Sequence, residues 1–155
     1  MPESGDTRHV AHGADIRTGR YLRHMLDGRR GRRWERDAVP RVRALHAALV
    51  DVIADIGEPA VVLHGTCARF DRRIAELDGW LVTSPCPDPV VGRSVRELVG
   101  ACAGLWATTV RVARLTPAGI DAGSDHLPAS CTIEMAERVD ALEAALERVT
   151  RLGLL

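Results

Sequence analysis

Three side chains at helical spacing, His64, Cys67 and Asp71, come closest to a chemical constellation in this chain. Offsets of three and four put them on one helix face, where an imidazole, a thiolate and a carboxylate could ligate a metal ion or pass a proton. One helix supplies too few ligands, however. Metal sites in bundle cores draw Glu-x-x-His pairs from two helices, and no Glu-x-x-His occurs here. Cys67 in the core, with His64 and Asp71 at its margin, is the stronger reading. No metal and no cofactor is expected. If the bundle opens between its helices, His46, His64, Asp71 and Trp106 are the polar and aromatic lining of a ligand pocket.

Nucleophilic chemistry has less support. The chain has no G-x-S-x-G elbow, Walker loop or G-x-G-x-x-G, so no catalytic residue is assigned. Cys86, between Pro85 and Pro87, is an exposed thiol by this reading, and no base lies near it in sequence. His9 and His12 fall in a segment without periodicity.

The loudest segment is "DGRRGRRWERDAVPRVR", residues 27–43, with seven arginines around one tryptophan. Arg29, Arg30, Arg32 and Arg33 could contact phosphates while Trp34 stacks on an exposed base, the combination single-strand binders use. Against this stand the interleaved Asp27, Glu35 and Asp37, and the overall charge layout. Eleven arginines lie between Arg8 and Arg43 against four acids, whereas seven acids face three arginines after Thr116. Internal pairing with the acidic end, or plain solvation, is therefore expected, and nucleic-acid binding is not. A helix-turn-helix around "VDVIADIGEPAVVLHG" fails because Val61, Val62 and Leu63 read as buried rather than as a recognition surface.

These residues must be positioned by helices. The chain of 155 residues is 46% hydrophobic but only 3% aromatic, with Ala, Leu and Val supplying the apolar mass. That mixture favours helix packing over strands. All 21 basic residues are arginine, as a GC-rich coding genome would produce, and formal net charge is zero. Cys67, Cys86, Cys102 and Cys131 form no C-x-x-C pair and follow no apolar signal segment; they read as reduced thiols of a cytoplasmic protein. No apolar run is long enough to span a bilayer, so no membrane association is expected.

Periodicity predicts an all-α, single-domain bundle of four to five helices with a long central one, residues 15–155, preceded by a flexible tail, 1–14. A first helix, Asp15 to Asp27, is stopped by Gly28 and Gly31. The next starts at Asp37, tolerates Pro40 in its first turn, buries Val42, Leu45, Leu49, Val52, Ile53 and Ile56, and ends at Gly57. A third covers Ala60 to Leu81. "TSPCPDPV" is a rigid break in which Asp88 caps the longest and most apolar helix, Pro89 to Leu115. A loop of about fifteen residues leads to a last helix near Ser130. There Met135, Val139, Leu142, Leu146 and Val149 alternate four and three like a coiled-coil seam.

Three segments, "LHAALVDVIADI", "TCARFDRRIAELDGWL" and "VGRSVRELVGACAGLW", together resemble small helical proteins associated with natural-product gene clusters of GC-rich bacteria. The resemblance covers residues 42–110 and lies in Arg72-Arg73 with Ile74 and Leu77, the proline-rich break, and Arg93 and Arg96 leading into Leu98, Val99 and Cys102. It implies a cytosolic accessory role and carries no catalytic residues. The expectation is thus a helical accessory or interaction protein that forms a homo-oligomer through the last helix. A small-molecule binder or enzyme is one alternative, and a nucleic-acid-binding regulator using residues 29–43 is another.

Overall fold

The computed structural model describes residues 11–56, 60–115 and 129–155, with side chains for 28–56, 61–112 and 130–155. It contains four helices: α1 (Ala11–Ala54), α2 (Ala60–Thr83), α3 (Pro89–Leu115) and α4 (Ala129–Arg151). Among the described residues there is no strand, so the all-α expectation holds. Among the described residues, no helix is long and apolar enough to cross a membrane.

The helices pack in series, α1 on α2, α2 on α3, and α3 most extensively on α4. Neighbours run antiparallel. Asp51 meets Arg69 while Trp34 meets Ser84 across α1 and α2, and Glu97 meets Arg148 while Arg111 meets Glu134 across α3 and α4. All four helices contribute to one core, centred on Val42, Leu45, Phe70, Leu77, Val95, Leu98, Cys102 and Val149.

The main departure from expectation is α1. Gly28 and Gly31 do not stop it, and the two helices read around them are one of 44 residues, longer than α3. A glycine ends a helix by taking a left-handed conformation that satisfies the last carbonyls, and among the described residues only Gly153 has a positive φ. Two helical glycines cost about 1 kcal/mol each against alanine. The arginines around them are good helix formers, and Trp34 and Ala38 anchor the next turn in the core. Pro40 consequently lies inside a helix, on its exposed side, where its missing N–H removes one backbone bond. One turn earlier, Arg41 Nη1 donates to the Asp37 carbonyl at 2.6 Å.

The other boundaries follow local signals. Asp88 Oδ1 accepts from the amides of Val90 and Val91 at 2.8 and 3.2 Å, a side-chain cap on α3. At the far end of α4, Gly153 N donates to the Thr150 carbonyl and Leu154 N to the Val149 carbonyl, the paired bonds of a Schellman cap. That turn folds Leu154 back into the core beside Val149. Of the expected tail, residues 1–10 lie outside the described residues, as does the long loop after Leu115, and residues 11–14 belong to α1.

Candidate functional site

Since α1 and α4 sit at opposite ends of the packing series, no extensive face joins them. Between them, floored by α2 and α3, lies an apolar groove of about 560 Å³. Its α1 wall is Leu49, Val52 and Ile53, with Ile56 in the turn just after the helix; its α4 wall is Met135, Val139, Leu142 and Leu146. Phe70 and Trp106 form the floor, edge to face with ring centroids 6.1 Å apart. Thr109 and Glu143 are the polar residues that line it.

Helix geometry explains why apolar side chains face an opening. The α1 stripe read from the sequence continues from buried Val42, Leu45 and Leu49 to Ile53 and Ile56, yet these last two are 58% and 70% exposed. They border the opening between α1 and α4. The α4 seam divides likewise: Leu142 and Val149 are buried, whereas Val139 is 39% exposed and Met135 and Leu146 are half-buried. Val149 is thus used inside the chain, Leu142 is buried yet still lines the groove, and Met135, Val139 and Leu146 face its opening.

Of the four residues expected to line a ligand pocket, Trp106 borders this groove and His46, His64 and Asp71 do not. His64 and Asp71 are exposed on α2, and His46 is half-buried on α1. Cys67 does reach the groove, and burial pushes its thiol upward in pKa. Among the described residues, no three His, Cys, Asp or Glu side chains gather as a metal site would require. Cys86 is half-buried rather than exposed, packed where a Cβ on Gly92 would come within 2.7 Å of its own; burial again raises its pKa. Cys102, deep in the core, is pushed up to about 12 by the same cause.

At the other end of the bundle, Trp34, the base-stacking residue of the nucleic-acid alternative only, is a core residue. It is 6% exposed, its ring lies 5.2 Å from that of Trp80, and its Nε1 donates to the Ser84 carbonyl at 2.8 Å. Arg41 covers the outer face of Trp80 at 4.9 Å, a cation–π contact. Arg29, Arg30, Arg32 and Arg33 are exposed and make no ion pair among the described residues. Of the two expected outcomes, pairing with α4 and plain solvation, these four arginines show the second among the described residues; in α4, Glu134 pairs with Arg111 and Glu147 with Arg151. Val61 and Val62, read as buried, are exposed.

Among the described residues, fold and groove define an all-α protein with an open apolar seam. Compared with known proteins, the chain matches no family model, no curated protein and no solved structure.

Proposed function

We propose that this is a non-catalytic helical interaction protein that self-associates by presenting the α1–α4 groove to a second copy. One observation carries the reading: the groove is walled by aliphatic side chains, and its rim leaves Ile53, Ile56 and Val139 in water. Contiguous apolar surface of that kind favours association. Met135, Val139, Leu142 and Leu146 keep the four-and-three spacing that suits packing by another helix. A twofold pairing needs one such face, used by both copies. Among the described residues the lining is apolar apart from Thr109 and Glu143, a composition that suits an interface. The cytosolic accessory role in a natural-product pathway is the part of this proposal that rests on the resemblance of residues 42–110 alone.

Sedimentation velocity over a concentration series tests the reading. A dimer at micromolar concentration is the expected result, and a monomer throughout contradicts it. A second reading draws on the groove's volume, which falls in the 300–1,000 Å³ range of small-molecule sites. On that reading the chain sediments as a monomer and the groove takes an apolar ligand against Phe70 and Trp106.

A further inference from the structure

The continuity of α1 gives its arginines an arrangement that a hinge would not. At 3.6 residues per turn, Arg29, Arg32, Arg33, Arg36 and Arg43 fall within an arc of about 100°. That arc lies opposite the buried stripe of Trp34, Ala38, Val42, Leu45 and Leu49. All five arginines are exposed, and none makes an ion pair among the described residues. Glu35 and Asp37 project outside the arc, so over this length it carries five positive charges and no negative one. At 1.5 Å per residue the row is about 21 Å long.

We propose that this arginine face of α1 binds the phosphate backbone of duplex nucleic acid, without reading sequence. Guanidinium groups fixed along a rigid helix suit a regular line of phosphates, and a duplex offers one charge per 1.7 Å or so of its axis. A single strand is the poorer partner, because its affinity draws on base stacking and Trp34, the aromatic residue of this stretch, is buried against Trp80. A bilayer is also the poorer partner. An interfacial helix inserts an apolar face, and here the apolar face of α1 is already in the core. With formal net charge zero, attraction has to come from this local row.

Anisotropy of a labelled duplex of arbitrary sequence tests the proposal in the full chain. Five phosphate contacts predict a log–log salt slope of about −4.5, so affinity falls about 500-fold between 50 and 200 mM salt. Replacing Arg29, Arg32, Arg33 and Arg36 together with Gln, a comparable helix former, should flatten the slope to about −1. Arg93→Gln, an exposed arginine of α3, should leave it unchanged. Circular dichroism confirms that the variants keep their helix. The proposal is overturned if the duplex does not bind at 50 mM salt, or if the fourfold variant keeps the slope. Equal binding to a single strand of the same length, or binding only to anionic vesicles or to an acidic polypeptide, overturns it as well.

Discussion

The indole of Trp34 donates its hydrogen bond to the carbonyl of Ser84, fifty residues away, at 2.8 Å. This bond ties the middle of α1 to the first residue after α2, at the bend leading into α3. The tryptophan that looked like a ligand-binding residue therefore closes one end of the bundle, and the opposite end holds the groove. Trp34→Ala should cost about 3–5 kcal/mol in chemical denaturation, the range for emptying a buried aromatic site. Trp34→Phe, which keeps most of the volume and loses the bond, should cost about 1–2 kcal/mol. A Trp34→Phe variant as stable as the unmodified protein would remove the bond from this account.

A second prediction concerns the end of α4. Gly153 holds a φ of 72°, and the turn it makes seats Leu154 in the core. Gly153→Ala should destabilise the protein by about 1 kcal/mol through strain at that residue, and Leu154→Ala by about 2–5 kcal/mol through the cavity it leaves. Thermal melts with the same two substitutions combined check the coupling. Since the turn exists to place the leucine, the double variant should lose less than the sum.

Acid should loosen the tie between α3 and α4. The Arg111 guanidinium, followed by the Thr108 hydroxyl at 3.1 Å, holds the Glu134 carboxyl below the usual carboxylate value of 4.5. A depressed carboxylate contributes stability that is present above its unfolded value and lost as pH falls through the folded one. Melting temperature should therefore drop as pH falls below about 4.5, and part of that drop should vanish in Glu134→Gln. The effect is small for so exposed a pair, and it is screened by salt. A melting curve for Glu134→Gln that tracks the unmodified protein at every pH speaks against the tie.

Thiol chemistry separates the core from the surface. With its pKa pushed up to about 12, Cys102 holds almost no thiolate at mildly alkaline pH, and it is 1% exposed. It should resist alkylation in the folded chain and react readily in denaturant, as read by mass spectrometry of its peptide. Equal rates in the two states would mean that α3 is not packed as described.

Much of this fold could be read from the residues, for reasons that differ along the chain. The start of α2 at Ala60, the span of α3 from Pro89 to Leu115 and the Asp88 cap follow from local punctuation by proline and aspartate. Val42, Leu45 and Leu49 are buried as periodicity predicts. Continuity through Gly28 and Gly31 was not legible, because a glycine's stop signal is local while the anchoring of Trp34 against Trp80 is tertiary. "RLGLL" carried a readable cap in Gly153 that periodicity alone passed over. The groove was legible only as its two walls. That Ile53, Ile56 and Val139 stay exposed depends on which helices fail to meet, and no pattern within one helix encodes that.

The central claim is that the α1–α4 groove joins two copies, and sedimentation equilibrium of three variants tests it most directly. Ile53→Glu and Val139→Glu place a carboxylate on the exposed rim, where a lone chain tolerates it but an apolar interface does not. Each should keep the helical spectrum and sediment as a monomer, with dimer affinity reduced at least 100-fold or so for a few kcal/mol of unpaired buried charge. Leu142→Glu, at a position only 6% exposed, should unfold the chain instead. Folded Ile53→Glu and Val139→Glu variants that still dimerise as tightly as the unmodified protein would contradict the account.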